Sequence, residues 1–280
     1  MKLTQENYYG REASMKYMSV SQFKSFLQCE VAALAECKGE YVRPMTTALL
    51  VGSYVDARLE GDEAFEAFKA EHPEIFKKDG TPKADFVQAE EIYQRIKSDR
   101  LMSLLLSGKH QVIVTGKIAR VPWRGKIDSL CDEDLCKVIM AEFPDTAEAL
   151  GGPFCTGAIV DGKVMRDFAP VWSDAEGRKL HWIDAWGYHL QGAAYKELIR
   201  QMTGKTMPFV LAPATKETVT DLDALYVPYQ ELEAGLRLIE EKAPIFQAIK
   251  QGKREPVACG KCDYCKSQKK LTTIKNYKEI

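Results

Sequence analysis

The sequence predicts an α/β fold in which helices flank a mixed central β-sheet, with further helices added at the N-terminal and C-terminal ends. Three observations support this prediction. Apolar residues near both ends recur every three or four positions, which is the period of an amphipathic helix. Short runs rich in β-branched residues, typical of strands, lie in the middle of the chain. A chain of 280 residues, 45% of them hydrophobic, is also long enough to bury a substantial core.

The N-terminal part is expected to be a flexible arm followed by a helix. Residues 1–17 would form the arm. Ser19 or Ser21 can cap the helix, because a serine oxygen accepts a hydrogen bond from the N–H groups of a first helical turn. Cys29 would lie inside this helix, whose apolar stripe is Phe23, Phe26, Leu27, Val31 and Leu34.

Two more helices and a β-hairpin are expected next. One helix would run from residue 46 or 47 to about 59, and a long one from about 84 to 106. The hairpin would pair residues 111–114 with residues 118–123, with its turn near Gly116 and Lys117. The chain then continues from Gly125 into Asp128.

The second half of the chain is expected to be less regular. Residues 131–157 are interpreted as an insertion, in which residues 138–140 could extend a strand and residues 144–153 form an irregular excursion. The strand that begins at Ile159 would continue or re-form over residues 164–171. The remaining elements are a helix over about 179–202, a strand over 207–214 and a helix over about 230–249.

Two carboxylates and a lysine form the candidate catalytic set. Residues two apart on a strand share a face, so Asp161 and Lys163 project together, and Asp128 leaves a neighbouring apolar run. Carboxylates that converge beside an ammonium suit a hard divalent ion such as Mg²⁺ or Mn²⁺, with the lysine orienting or activating a water. Glu142 is a rival ligand, but Pro144 stands where a lysine would be needed.

A helix that follows carries two polar side chains on one face. Gln191 and Tyr195 are four residues apart and therefore lie one turn apart. The order is an acid, an apolar run into Asp-x-Lys, and then Gln-x-x-x-Tyr. In outline, this is a site for phosphodiester hydrolysis. A half-buried core tyrosine remains an equal interpretation of Tyr195.

These features resemble the PD-(D/E)xK nuclease superfamily, and within it the phage-type branch similar to exodeoxyribonuclease VIII, which shares features with the RecB nuclease domain. Residues 18–30 and 52–56 and the Cys259-x-x-Cys262-x-x-Cys265 pattern extend the resemblance over residues 18–270. It implies a restriction-endonuclease-like core, a single nuclease domain over 18–270, and an active site flanked by Gln191 and Tyr195. It also implies processive degradation of linear duplex DNA in phage-type recombination, an annealing partner protein and a ring-shaped homo-oligomer.

Asp56 departs from the pattern that the resemblance implies. The corresponding helix position in RecB-like domains is often a histidine that contacts the metal. An acid can also bind a divalent ion, so Asp56 is a candidate ligand, with a solvated helix carboxylate as the alternative.

Three cysteines at two-residue gaps predict a metal site near the C-terminus. Thiolates brought together repel each other unless a cation neutralises them, and Cys29 is the best candidate for a fourth ligand beside Cys259, Cys262 and Cys265. In helicase-nuclease and CRISPR-associated relatives, one cysteine before the nuclease core and three after it hold a [4Fe–4S] cluster. The last gap is shorter here, so zinc and a set of reduced thiols both remain open.

Lysines are the candidate DNA contacts. Lys216 follows a predicted strand, and Lys266, Lys269 and Lys270 precede a basic tail over residues 271–280. Such a tail suits phosphate contact, although a solvated terminus is the commoner explanation.

Bulk properties set the remaining expectations. The net charge of −1 excludes a globally basic nucleic-acid coat but leaves room for a local basic groove. The N-terminus lacks a signal-peptide core, no run has the length of a membrane span, and the eight cysteines are expected to be reduced or metal-bound, so the cytoplasm is expected. The resulting hypothesis is a magnesium-dependent DNA exonuclease. A catalytically weak nucleic-acid-binding module on the same fold and a site-specific endonuclease are the alternatives.

Overall fold

A five-stranded mixed β-sheet forms the centre of the computed structural model, which describes residues 1–150, 156–174, 176–274, 276 and 278, without the side chains of residues 147–149. The strands are β1 (Lys109–Ile118), β2 (Val121–Cys131), β3 (Ala158–Met165), β4 (Val171–Ser173), β5 (Arg178–Leu180), β6 (Phe209–Thr215) and β7 (Leu225–Tyr226). The central sheet has the order β1-β2-β3-β6-β7, and β4 pairs with β5 separately. Within the central sheet β3 and β6 are parallel, whereas the other neighbours are antiparallel.

Helices cover both faces of this sheet. They are α1 (Arg11–Lys16), α2 (Val20–Gln28), α3 (Glu30–Lys38), α4 (Thr47–Glu60), α5 (Asp62–Glu71), α6 (Ala84–Ser98), α7 (Arg100–Leu105), α8 (Glu133–Glu142), α9 (Pro144–Leu150), α10 (Trp182–Ala185), α11 (Tyr188–Thr203), α12 (Tyr229–Lys250) and α13 (Asp263–Ser267). No helix in the described part of the chain is long and apolar enough to cross a membrane.

Each face of the sheet has its own apolar core. Side chains that alternate along β3 show the division, because Ile159 packs with α2, α11 and α12 while Val160 packs with α4, α6 and α8. Asp161 and Lys163 share a face with Ile159. The α/β class, the mixed central sheet and the flanking helices of the prediction are confirmed.

The N-terminal residues pack against the sheet, in contrast to the flexible arm expected for residues 1–17. Ala13 is fully buried, and Arg124 donates a hydrogen bond to the carbonyl oxygen of Tyr8. Met18 and Trp123 form a parallel bridge that continues this contact into β2. Ser19 caps the next helix, as predicted, by accepting a hydrogen bond from the N–H of Gln22.

Two predicted helices are broken by single residues. The helix expected through Cys29 is α2 followed by α3, because Cys29 has an extended backbone (φ −161°) between them. The helix expected over residues 84–106 is α6 followed by α7, because the side chain of Asp99 accepts a hydrogen bond from Met102 N and caps a new helix.

The hairpin turn and the insertion also differ from the prediction. The turn lies at Ala119 and Arg120, which have positive φ angles of 48° and 65° and connect β1 to β2. Gly116 therefore lies inside β1, where it pairs with Trp123. Residues 138–140 form part of α8 rather than a strand, because Asp132 caps that helix. Residues 144–150 are helical, and residues 151–153 of the expected excursion lie outside the described residues.

The helix expected over residues 179–202 is also divided. Residues 178–180 form β5, and α10 and α11 follow, separated at Gly187. Gly187 has a φ of 62°, a left-handed conformation that favours glycine. Strand β3 ends at Met165, and the chain forms β4 only from Val171.

Candidate active site and cysteine cluster

Asp128, Asp161 and Lys163 meet on one face of the central sheet. Strands β2 and β3 pair Ser129 with Val160, and continuing this register places Asp128 across from Asp161. The Lys163 ammonium forms an ion pair with the Asp161 carboxylate and lies 3.9 Å from Oδ2 of Asp128. The alternation of strand side chains thus produces a compact cluster of two acids and one base.

The pKa values of residues in this cluster are shifted because the cluster is shielded from water. Shielding raises the pKa of Asp128 well above its usual range, and the neighbouring Asp161 carboxylate raises it further. Shielding alone would lower the pKa of Lys163, but Asp161 and Asp128 more than offset this effect and raise it. Two close carboxylates therefore share a single ammonium that remains charged.

Asp56 is the third carboxylate of this region. It lies on α4, which contacts β3, and lines the same cavity as Asp128 and Asp161. Shielding from water raises the pKa of Asp56 to about 6, with Lys163 acting against the shift and Asp161 adding to it. Asp56 is half-buried and belongs to the electrostatic environment of the cluster.

Gln191 and Tyr195 reach the cluster from α11 in different ways. Gln191 Nε2 donates a 2.6 Å hydrogen bond to Oδ1 of Asp161 and so contacts the acid directly. The Tyr195 hydroxyl donates to the carbonyl oxygen of Lys126 at 3.0 Å, and its ring lies over Gly125, where a Cβ would approach to 2.7 Å. Tyr195 is 8% exposed, so it fixes the backbone of β2 beside Asp128.

The cluster opens into a cavity of about 610 Å³. This volume is within the range of small-ligand clefts. Residues of the N-terminal segment, α2, α4, β2, β3 and α11 line it, and they include Tyr8, Tyr9, Lys24, Asp56, Arg124, Lys126, Asp128, Asp161, Lys163, Gln191 and Tyr195.

Sequence reasoning missed the two lysines that flank the acids. Lys24 on α2 donates to the carbonyl oxygen of Trp186 at 3.0 Å and lies 5.3 Å from the ring centroid of Tyr188. Burial, followed by the nearby Lys163, lowers the pKa of Lys24 to about 8. Lys126 shares a strand face with Asp128, a spacing that could have indicated its role, whereas nothing local distinguishes Lys24.

The donor set fits a divalent metal ion. Asp56, Asp128 and Asp161 supply hard oxygen atoms around a single ammonium, and the raised pKa values of Asp56 and Asp128 show that ionisation of these two carboxyls is opposed within the cavity. A divalent cation bound between them would favour the ionised carboxylates and lower their pKa. Oxygen ligands are those that Mg²⁺ and Mn²⁺ prefer.

The other predicted contact residues lie elsewhere. Lys216 lines a separate surface depression with Arg95 and Asp221. Lys266 forms a 3.6 Å ion pair with Asp263, and Lys269 and Lys270 are exposed beyond α13. None of these lysines lines the acidic cavity. Lys275 of the basic tail lies outside the described residues. The rival acid Glu142 pairs with Arg100 at 2.7 Å and does not line the cavity either.

The four predicted cysteines come together at a second site. The Sγ atoms of Cys29, Cys259, Cys262 and Cys265 all lie within 4.8 Å of one another. The extended backbone at Cys29 points its thiol between two helices toward the C-terminal segment, where it lies 3.6 Å from that of Cys265. Glu30 holds the same segment by accepting a hydrogen bond from Val257 N at 2.7 Å.

The protonation of these thiols fits a cation site. Backbone N–H groups of Lys261 and Cys262 lower the pKa of Cys259 to about 6. The N–H of Cys265 acts in the same direction on Cys262, but shielding and the adjacent thiols prevail and raise the pKa of Cys262 to about 12. The pKa values of Cys259 and Cys262 are thus shifted in opposite directions. A cation would stabilise both thiolates, and the four-cysteine group could bind a metal such as zinc.

Comparisons with known proteins bear on the family and the fold of this chain. The family described as "PDDEXK-like domain of unknown function (DUF3799)" matches residues 19–139 and 154–268, which include the acidic cluster and the four cysteines. No curated protein matches the sequence. A crystal structure of a protein from Eubacterium rectale, described as a "putative exonuclease", is 37% identical with a TM-score of 0.85. The match covers 100% of this chain and 98% of that one.

Proposed function

Because this chain belongs to the family of PDDEXK-like domains and has its nuclease fold, we propose that it is a metal-dependent exonuclease that hydrolyses phosphodiester bonds of linear duplex DNA. One observation carries the proposal. Asp128, Asp161 and Lys163 converge, with Asp56, in one cavity of about 610 Å³. The E. rectale protein, described as a "putative exonuclease", supports the choice of reaction.

Asp128, Asp161 and Asp56 would hold Mg²⁺ or Mn²⁺, which when bound polarises the scissile phosphate and stabilises the charge that develops on it. The residues of the chain do the positioning. Gln191 holds one oxygen of Asp161, so this carboxylate keeps its orientation. Lys163 remains protonated beside both acids, and its N–H groups orient the attacking water or a phosphate oxygen.

Digestion of labelled DNA tests the proposal. Linear duplex labelled at its ends and closed circular duplex of the same sequence would be incubated with the protein, with and without a chelator. We expect release of short labelled products from the linear form alone, complete inhibition by the chelator, and loss of activity by at least about 100-fold in Lys163→Met. Glu142→Gln, an acid outside the cavity, is the matched control.

The alternatives give different results in the same assay. A site-specific endonuclease would cut the closed circle as readily as the linear form. A nucleic-acid-binding module without chemistry would bind both forms and cut neither at any Mg²⁺ or Mn²⁺ concentration. Wild-type digestion rates in folded Lys163→Met protein would defeat the assignment of the site.

The cysteine cluster is proposed to hold a [4Fe–4S] cluster, with Zn²⁺ as the alternative. The four thiols within 4.8 Å support a bound metal, and the resemblance to helicase-nuclease relatives, whose last cysteine gap is longer, supports the iron–sulfur cluster. The Sγ separations of 3.6 and 4.0 Å support the alternative, because four thiolates about 2.3 Å from one Zn²⁺ lie that close to one another. The visible spectrum and metal content of anaerobically purified protein distinguish the two, since zinc gives no visible absorption.

A wider role follows from the resemblance to phage-type exonucleases. It suggests a cytoplasmic recombination enzyme that acts with a single-strand annealing protein and assembles as a homo-oligomer around DNA, with Lys216, Lys266, Lys269 and Lys270 contacting phosphates. Light scattering of the purified protein, alone and with linear duplex, tests the oligomer. A monomer under both conditions would contradict it.

A further inference from the structure

The acidic cavity has a second wall, aromatic and basic, that the proposed chemistry does not use. Tyr8, Tyr9, Arg124 and Lys126 line it beside Asp128. The two tyrosines belong to the N-terminal segment, which precedes the part of the chain matched by the family.

Residues 5–9 are anchored to the sheet by several contacts. Gln5 Nε2 donates to the carbonyl oxygen of Gln111 at 2.8 Å. The carbonyl oxygen of Tyr8 accepts a hydrogen bond from Arg124, whose guanidinium also lies 4.7 Å from the Tyr8 ring centroid. Tyr8 is 6% exposed. Tyr9 is therefore presented by a fixed segment.

Tyr9 offers an open aromatic ring at the edge of the cavity. It is 72% exposed, although its ring packs edge-to-face on Tyr8 with centroids 4.9 Å apart. An exposed ring that is held in place by a buried neighbour loses little freedom when a planar group stacks on it. Nucleobases are the planar groups that such platforms bind in single-strand sites.

Lys126 provides a positive charge beside Tyr9 that no carboxylate among the described residues pairs with. It lies 5.0 Å from the Tyr9 ring centroid, and none of the ion pairs among the described residues involves it. Lys163, in contrast, is paired with Asp161. Lys126 is two residues from Asp128 on the same strand face, about 7 Å along the strand, a separation that one extended nucleotide spans.

We propose that Tyr9 and Lys126 form a subsite for the nucleotide next to the scissile phosphate. The base stacks on Tyr9, and the phosphate of that nucleotide pairs with Lys126. This inference rests on the proposed function, because it requires that a single strand from a duplex end enters the cavity. It adds the N-terminal segment to the substrate-binding surface.

Binding without cleavage tests the subsite separately from the chemistry. The probe is a short single-stranded DNA oligonucleotide with a fluorophore at one end, titrated by anisotropy in the presence of a chelator. We expect Tyr9→Ala to bind about 5- to 100-fold more weakly than wild type, and Tyr9→Phe to bind like wild type because stacking needs only the ring. Tyr229→Ala is the matched control, since Tyr229 is also exposed and packs on a lysine, Lys196 at 3.9 Å, but lines a different depression.

Two further measurements identify what each side chain contacts. Lys126→Met should reduce the magnitude of the slope of log affinity against log salt by about 0.7, the value for one phosphate of a single strand. An abasic site at the unlabelled end should weaken wild-type binding at least fivefold. It should not weaken binding by Tyr9→Ala, because this variant has already lost the ring on which the base stacks. If an abasic site at the fluorophore end has this effect instead, the fluorophore end is the one that occupies the subsite.

The inference is overturned if folded Tyr9→Ala binds within twofold of wild type, if Tyr229→Ala loses as much, or if the salt slope of Lys126→Met is unchanged. It is equally overturned if wild type binds no single strand. Failure of the proposed nuclease function would appear elsewhere, as undiminished cleavage by Lys163→Met, and would leave the anisotropy data unchanged.

Discussion

Gln191, on α11, holds the Asp161 carboxylate in place, so the orientation of this acid depends on the position of the helix. The Nε2 atom of Gln191 donates to Oδ1 of Asp161, whose other oxygen faces Lys163. Asp161 is 1% exposed, so protein groups rather than water set its orientation. Outer partners of this kind hold a ligand in the geometry that a metal requires.

We therefore expect Gln191→Ala to lower cleavage by about 10- to 100-fold while the protein stays folded. The expected cause is weaker metal binding, so a higher Mn²⁺ concentration should restore part of the rate. Steady-state cleavage measured over a range of metal concentrations checks this. Gln201→Ala, a change near the other end of α11 where Gln201 bonds to Lys117, should leave the metal dependence unaltered. Equal effects of the two changes would contradict the role of Gln191.

At the scale of single residues, the sequence was sufficient to predict which side chains lie together when strand or helix periodicity alone determines it. Asp161 and Lys163 share a face because they are two residues apart, and Gln191 and Tyr195 lie together because a helix repeats every 3.6 residues. Lys24 could not be identified, because its position beside the acids depends on how α2 packs against α11. Tyr9 was hidden for a related reason, since the contacts that anchor its segment come from Arg124 and Gln111, far along the chain.

At the scale of elements, α4 brings Asp56 to the cavity and is held by an ion pair with α6. Arg58 donates from Nε and Nη2 to the two carboxylate oxygens of Glu90, both at 3.0 Å, and the Tyr54 hydroxyl also donates to Glu90 at 3.0 Å. Burial would raise the pKa of Glu90, but the hydrogen bonds from Arg58, Gln94 and Tyr54 outweigh it and lower the pKa. This pair is partly solvent-exposed, so its contribution is modest.

Glu90→Gln should lower the free energy of unfolding by about 1 kcal/mol at pH 7. A carboxyl with a lowered folded-state pKa stabilises the protein above its unfolded-state pKa of about 4.3, and this stabilisation is lost as the pH falls through the folded-state value. The difference between wild type and Glu90→Gln should therefore stay constant from pH 7 to about 5 and shrink as the pH falls below about 4.3. Urea unfolding at several pH values measures it. Glu233→Gln, which removes a 3.9 Å exposed pair with Arg237, should have almost no effect. A difference that is constant with pH would contradict the assignment.

Element boundaries were predictable where a cap or an apolar stripe is local. Ser19 was named as a cap, whereas Cys29 and Asp99 each break a continuous helical pattern through an extended backbone that the pattern does not encode. Residues 138–140 illustrate the opposite error. Three apolar residues fit either a strand or a helix, and the cap at Asp132 determined the outcome.

At the scale of the whole molecule, the cysteine cluster joins the beginning and the end of the chain. Cys29 lies between α2 and α3, and its three partners lie beyond α12. Contacts on either side of the cluster, such as the rings of Tyr41 and Tyr264 at 5.0 Å, depend on the same closure. The fold class could be predicted because helical and strand periodicities in the sequence extend over the whole chain. The identity of a metal bound by four thiols could not be predicted from the sequence.

Cys259→Ser should remove the bound metal and lower the Tm by about 5 °C or more, because metal-binding free energy contributes to folding. Metal analysis and thermal unfolding of the same samples check this. Cys37→Ala, which changes a buried cysteine outside the cluster, should keep the metal content of wild type. Full metal content in Cys259→Ser would exclude the four-thiol site.

Manganese titration calorimetry at neutral pH tests the central claim most directly, because it measures whether the acids of the cavity hold a divalent ion. Wild type and Glu142→Gln should bind Mn²⁺ with the same affinity, whereas Asp161→Asn should lose this binding by at least about 100-fold. Undiminished Mn²⁺ binding in folded Asp161→Asn would contradict the account.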